Sequence, residues 1–304
     1  MAAIADCVIV GGGPAGLTAA IYLARFHLRV RVIDAGASRA AQIPCTRNHA
    51  GFPDGITGAE LLDRMRRQAI GAGAEVVQAR VTHLSVLPTG FSIETVAGSF
   101  QARTVLLATG VTNCPPQMTP ATHATALAAG RLRYCPVCDG FEVTDQQVAV
   151  IGTGARGVKE ATFLRSYTRT VTLISDEVSH ALSDDQCREL ADGGIEVLGG
   201  PAADFRLEPD GLSVATGAGR RTFASIYPAL GSQIHSDLAR DLGAATTDEG
   251  CVKVDAHQRT SVGSLYAAGD VVIGLDQISH AMGEAGVAAT TIRNDLALRS
   301  PLRR

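Results

Sequence analysis

The chain of 304 residues has no tryptophan, few aromatic side chains of any kind, and no excess of positive charge. A formal net charge of −3, with no basic cluster long enough to follow a phosphate backbone, argues against nucleic acid as a partner. Arg299, Arg303 and Arg304 read as a solvated terminus. No apolar run approaches the length of a membrane span. The N-terminus lacks a basic region, and its apolar stretch at 7–10 runs straight into glycines, so it reads as a first strand and not as a signal peptide. These absences lead us to expect a soluble, cytoplasmic protein with no membrane partner, whose thiols stay reduced unless a catalytic cycle oxidises them.

Glycine, by contrast, is plentiful. Its 33 residues, beside 46% hydrophobic content, suit an α/β protein with many tight strand-to-helix turns, and the length suits two domains. Cys7–Val10 reads as a strand, Gly11-Gly12-Gly13-Pro14-Ala15-Gly16 as a turn, Leu17–Phe26 as a helix, and Arg29–Ile33 as a second strand ending at Asp34. In such a βαβ unit Gly11, Gly13 and Gly16 allow the tight turn, the approach of backbone to a pyrophosphate, and close helix packing. The helix N-terminus offers its positive end to the phosphates, and Asp34 stands where a carboxylate accepts a ribose hydroxyl. The unit recurs: 147–151 reads as a strand, Gly152-Thr153-Gly154-Ala155-Arg156-Gly157 as a second loop, 158–167 as a helix and 170–174 as a strand. Two such units half a chain apart indicate two Rossmann-like dinucleotide-binding domains. Further strands are expected at 91–93, 104–107 and before Asp270, and a long helix over 278–296.

Between the loops lies Cys135-Pro136-Val137-Cys138. Two thiols at this spacing can close a disulfide or form half of a zinc site, but no second ligand pair accompanies them, so no metal is expected. Cys7, Cys45, Cys114, Cys187 and Cys251 are scattered singly and read as small buried hydrophobes. Asp139 follows the pair at once and is either a proton donor and acceptor for thiolates or a turn carboxylate.

Taken together, the first loop, Gly51-Phe52-Pro53-Asp54-Gly55-Ile56-Thr57-Gly58, Ala108-Thr109-Gly110, Cys135–Gly140 and Ala268-Gly269-Asp270-Val271 make the chain resemble the low-molecular-weight thioredoxin reductase family of flavoprotein disulfide reductases over nearly its whole length. The resemblance implies an FAD domain from residues 1–114 and 245–304, with a smaller nucleotide-binding domain at 115–244 inserted into it. It also implies roles. Gly11, Gly13, Pro14, Ala15, Gly16 and Asp34 would hold the FAD pyrophosphate and ribose, and Gly269 and Asp270 the ribityl or phosphate region. Gln277 and Ile278 would offer N–H groups to the pyrimidine end of the flavin, and Asn48 would help fix its ring. Cys138 becomes the thiol nearest the flavin, Cys135 the one exchanging with substrate, and Asp139 their acid. A homodimer and a thioredoxin-like protein or small disulfide partner are implied as well.

The chain departs from the family at one place. Members that use NADPH carry His-Arg-Arg after the second strand of the inserted domain, whereas Ser175-Asp176-Glu177 stands here, and two carboxylates repel a 2′-phosphate. NADPH is therefore disfavoured. Asp176 is suited to a ribose 2′-hydroxyl, which admits NADH or a second flavin at Gly152, Gly154 and Gly157. Arg156 is open to three readings: a phosphate partner, a plug in a disused site, or an exposed helix-start residue. Related proteins without NADPH take electrons from ferredoxin or run as dithiol oxidases that reduce oxygen, and His280 is a candidate proton relay for such an oxidase. The competing readings are thus a disulfide oxidoreductase with an altered donor site, a dithiol oxidase, and a non-catalytic flavin redox sensor.

Overall fold

The computed structural model describes residues 4–302. They form two compact units. The first comprises the residues up to Ala41, Thr57–Thr112 and Ile234 onward, and the second Gln42–Ile56 with Asn113–Gln233.

The first unit is built on the strand Ala5–Val10, buried along its whole length. A strand buried at every position, with Asp6 its one charged residue, belongs at the centre of a parallel sheet covered on both faces. Its neighbours are Val30–Asp34 on one side and Gly98–Leu107 on the other, both parallel to it. Glu75–Gln78 extends the sheet beyond Val30–Asp34. The ten-residue strand Gly98–Leu107 serves two partners on its far side. Its first half pairs antiparallel with Gly90–Thr95, which pairs in turn with Val81–Leu87, while its last residues pair parallel with Leu265–Ala267. Two helices, Pro14–Arg25 and Ile278–Arg299, pack against each other through Ala-rich faces that allow close approach. The first starts three residues earlier than the apolar spacing predicts, because Pro14 takes the N1 position, where its missing N–H costs nothing. A further helix, Gly58–Gly71, is capped by the Thr57 hydroxyl, which accepts the Glu60 N–H at 3.1 Å.

The second unit has a four-stranded parallel sheet in the order Glu196–Leu198, Val171–Ile174, Val148–Ile151, Ser225–Pro228. Alternation along Val148–Ile151 sends Val148 and Val150 to one apolar cluster, with Val158, Leu164 and Tyr227, and Ala149 and Ile151 to another. The second cluster is closed by a three-stranded antiparallel sheet, Ala203–Glu208, Gly211–Thr216 and Gly219–Phe223.

The fold is therefore α/β with two Rossmann-like units, as the doubled glycine loops imply. The division of the chain differs from the expected 1–114, 115–244 and 245–304 in two respects. Residues 234–244 go with the first unit, because Ile234, Leu238, Ala239, Leu242 and Ala244 pack with Val252 and Val271. Residues 42–56 go with the second. The single cysteines also differ from expectation. Cys7 is buried, which pushes its thiol up to about 12, but Cys45 and Cys187 are exposed, and Cys114 and Cys251 lie between these extremes. No described helix is long and apolar enough to cross a membrane.

Candidate active site

The second unit holds the cysteines. Cys135 caps the short helix Pro136–Asp139 and is joined to Cys138 by a disulfide. The Cys138 N–H donates both to the carbonyl oxygen of Cys135, at 2.9 Å, and to its sulfur, at 3.1 Å. A donor on sulfur favours the thiolate, the form that attacks and leaves in exchange. Asp139 sits behind the pair with both oxygens engaged: Oδ1 accepts the Tyr227 hydroxyl at 3.0 Å, and Oδ2 pairs with Arg133 at 3.0 Å. Burial pushes its carboxyl above the usual range, Arg133 and the Tyr227 hydroxyl oppose this, and the charge of Glu142 adds to it. Tyr227 lies wholly buried, and burial together with Asp139 holds its phenol protonated. The arrangement suits a carboxyl that takes up and returns protons as the disulfide opens and closes. Asn48, from the 42–56 segment of the same unit, accepts the Thr46 hydroxyl at 3.0 Å and donates to the carbonyl of Val137, between the two cysteines, at 3.4 Å.

The second glycine loop is in this unit too. Gly152 and Gly154 have φ of +154° and +57°, and Gly157 sits under the loop, where a Cβ would come within 3.0 Å of the Gly152 carbonyl carbon. Beside it opens a cavity of about 370 Å³ whose walls include Thr153, Arg156, Asp176, Gln117 and Pro115. The Arg156 guanidinium lies against Gly231, within 2.2 Å of the position a Cβ would occupy there. Arg156 thus lines the cavity while its guanidinium rests on the backbone of Gly231. Asp176 is exposed, and Ser175 is turned inward, its hydroxyl donating to the Ser179 carbonyl at 3.2 Å.

In the first unit the loop from Gly11 to Gly16 has no room for a side chain at Gly11, Gly12 or Gly16. A Cβ on Gly11 would stand 2.2 Å from the Ala108 carbonyl oxygen, and one on Gly16 would stand 1.9 Å from that of Gly11. The Pro14–Arg25 helix begins at Gly13 with no side-chain cap, which leaves first-turn N–H groups such as those of Ala15 and Gly16 for an anion. Asp34 is buried, accepts the N–H of Gly12 at 3.2 Å and of Gly36 at 3.0 Å, and pairs with Arg66. Asp270 pairs with Arg39 at 2.7 Å, and burial, opposed by Arg39, raises its carboxyl. Gly269, at φ +80°, donates its N–H to Glu284 at 2.7 Å. The last helix starts at Ile278 after Gln277, again without a side-chain cap, and His280 approaches Glu284 at 3.7 Å. Crowded glycines and uncapped helix starts offer N–H donors to phosphates, and Asp34 and Asp270 are acceptors of the kind a ribose or ribityl hydroxyl requires, so the residues fit FAD.

Residues that the sequence reading passed over are the partners: Arg133 and Tyr227 on Asp139, Arg39 on Asp270, Arg66 on Asp34, and Glu284 on Gly269. Arg133, two residues before Cys135, was the one with a local signal. Tyr227 reads as an ordinary apolar strand residue. Among the described residues no group of His, Cys, Asp and Glu is arranged to hold a metal ion.

Two Rossmann-like units, a glycine cradle that fits FAD, and a disulfide backed by a half-buried acid define a flavin-dependent disulfide oxidoreductase. Comparison with known proteins agrees. The family model described as pyridine nucleotide-disulphide oxidoreductase matches residues 5–285. Thioredoxin reductase of Mycolicibacterium smegmatis is 33% identical over 284 residues, 88% of each chain. That of Streptomyces coelicolor is 32% identical over 90% of this chain and 87% of its own. The crystal structure of thioredoxin reductase from Streptococcus pyogenes superposes with a TM-score of 0.89 at 26% identity, covering 98% of this chain and 100% of that one. The chain belongs to the pyridine nucleotide-disulphide oxidoreductase family and is of the thioredoxin reductase-like kind.

Proposed function

We propose that the protein moves two electrons between FAD and the Cys135–Cys138 pair, and from there to the disulfide of a thioredoxin-like protein or a small molecule, with a donor other than NADPH. Bound FAD supplies the two-electron store. Opening the Cys135–Cys138 bond takes two electrons and two protons and yields two thiols. The Cys135 thiolate then attacks the substrate disulfide, one substrate sulfur leaves as a thiol, and the Cys138 thiolate resolves the mixed disulfide, releasing the second substrate thiol and re-forming the Cys135–Cys138 bond. Assigning exchange to Cys135 is supported by the Cys138 N–H on its sulfur. Asp139, held by Arg133 and Tyr227, serves as proton carrier for the thiols. A homodimer, common in the family, and Asn48 as a support of the flavin ring belong to the same proposal.

The observation that carries the donor assignment is the pair Asp176 and Glu177 beside the second glycine loop, with Asp176 in the cavity wall where a 2′-phosphate would need cations. The open cavity favours NADH or a second flavin, with Arg156 near its phosphates. The same acidic pair favours a second reading, a dithiol oxidase that passes the electrons of a small dithiol to oxygen, whereas ferredoxin as donor has no residue here that speaks for it. Anaerobic titration of the yellow protein with NADPH and NADH, followed by flavin absorbance, tests the assignment. Bleaching by NADH and not by NADPH is expected, and efficient bleaching by NADPH overturns it. Bleaching by neither, with peroxide formed from a dithiol in air, selects the oxidase.

A further inference from the structure

His280, a candidate proton relay in the sequence, has no part in the scheme above. It lies in the first turn of the last helix, Ile278–Arg299, and is exposed. Its ring is nevertheless held on two sides. Nδ1 stands 3.7 Å from Oε1 of Glu284, one turn further along the helix, and the ring edge rests on Gly274, where a Cβ would come within 2.6 Å of Cε1 and 3.3 Å of Nδ1. Glu284 is itself anchored. Its side chain is 10% exposed, and Oε2 accepts the Gly269 N–H at 2.7 Å, in the turn that leads to Asp270. One carboxylate thus joins the turn expected to hold FAD to a histidine at the start of the helix expected to meet the flavin.

The charges around this pair do not balance. Asp270 and Asp276 both pair with Arg39, at 2.7 and 3.2 Å, and with Glu284 they set three carboxylates against one guanidinium. Burial raises the carboxyl of Glu284, the Gly269 N–H and His280 oppose this, and the charges of Asp270 and Asp276 add to it. The Pro14–Arg25 helix, packed alongside, carries Tyr22 and Arg25 as its only ionisable groups, both in its second half. An imidazole is the side chain that most readily takes up or releases a proton near neutral pH.

We propose that His280 binds one proton from solvent each time two electrons enter the flavin site, and that Glu284 is the positioning residue that holds the imidazole for this. Bound FAD supplies a two-electron store whose filling adds negative charge at that end of the site. The electrons come from the donor and the proton from solvent. With Nδ1 facing a carboxylate, the neutral ring keeps its hydrogen there, so the new N–H bond forms at Nε2, and no other bond of the protein is made or broken. A proton bound on reduction makes reduction easier as the pH falls. Each pH unit then moves the ratio of reduced to oxidised flavin about tenfold further than it would without His280.

The inference rests on FAD in the first loop and is independent of the electron donor. In a Cys135→Ser, Cys138→Ser background, which leaves the flavin as the electron store, the FAD-loaded full chain is equilibrated with a redox dye across a pH series, and the reduced fraction is read by absorbance. Over the range in which His280 binds its proton, the ratio in His280→Gln should respond to pH about tenfold less per unit than in the parent. Glu284→Gln keeps an oxygen for the Gly269 N–H but loses the charge facing His280, so it should stay yellow and lose most of the same response. A His280→Gln profile superimposable on the parent overturns the proposal and leaves the cofactor reading standing. A Glu284→Gln profile that matches the parent, or loss of its flavin, overturns the positioning role and leaves Glu284 as an anchor of the turn. A parent protein that binds no FAD overturns the cofactor reading itself.

Discussion

The two glycine loops of this chain have the same form, yet they have been built into different surroundings. Around the first, every approach is tight: carbonyl oxygens of Ala108 and Gly11 stand within 2.2 Å of where a Cβ would be, and Asp34 is buried, holding two backbone N–H groups and Arg66. Around the second the fit is looser: a Cβ on Gly152 would stand 3.1 Å from the Ala229 carbonyl oxygen and one on Gly157 3.0 Å from the Gly152 carbonyl carbon, Asp176 is exposed, and a cavity opens beside Arg156. A glycine motif thus marks a turn that can receive a phosphate, but its surroundings decide whether the site is a rigid cradle or an open recess. The first suits a cofactor held throughout the reaction cycle, the second a ligand that comes and goes.

The widest contrast is expected between Gly16→Ala and Gly157→Ala. The first drives a methyl group into the Gly11 carbonyl at 1.9 Å and should cost about 3 kcal/mol and most of the bound flavin, since overpacking of this kind distorts backbone. The second meets the Gly152 carbonyl carbon at 3.0 Å, and alanine's better helix propensity offsets the crowding, so stability should stay within about 1 kcal/mol of wild type. Denaturant unfolding and the flavin-to-protein absorbance ratio measure both. Equal losses would break the comparison.

A smaller difference should separate the two acids. Asp34→Asn weakens the charge-assisted bonds to Gly12, Gly36 and Arg66 and should cost about 2 kcal/mol, whereas exposed Asp176→Asn should change stability by less than about 0.5 kcal/mol. Smallest of the three, the joint change Asp176→Arg with Glu177→Arg should tighten NADPH binding by roughly tenfold, about 1.4 kcal/mol, by supplying the cations a 2′-phosphate needs. Isothermal titration with NADPH reads this directly. Unchanged affinity would show that the recess does not receive the nucleotide in the family's manner.

Much of the candidate site was legible because its parts are local. The loops at 11–16 and 152–157, the Cys135–Cys138 spacing and the acid beside it are each contained within a few residues, and both glycine loops lead into a helix as expected. The partners were not legible for the opposite reason. Arg39 and Asp270 are 231 residues apart, and Tyr227 reaches Asp139 from Ser225–Pro228, a strand with no charged residue to mark it. The assignment of 42–56 to the unit of the cysteines has no compositional signal either, since it arises from contacts such as that of Asn48 with Val137.

What the sequence alone determined is the repertoire: two α/β units, two glycine turns, one redox-capable thiol pair, and carboxylates where the second site would need cations. These follow from backbone sterics, period-two and helical spacing, and the sign of a charge, all properties of short segments. Tertiary structure alone decided which acids are buried and what opposes their charge. It closed the first loop around Asp34, left the second open, and set Asp139 between Arg133 and Tyr227. Proton affinity depends on the solvent and charges a group loses or meets on folding, and those come from residues far away in the chain.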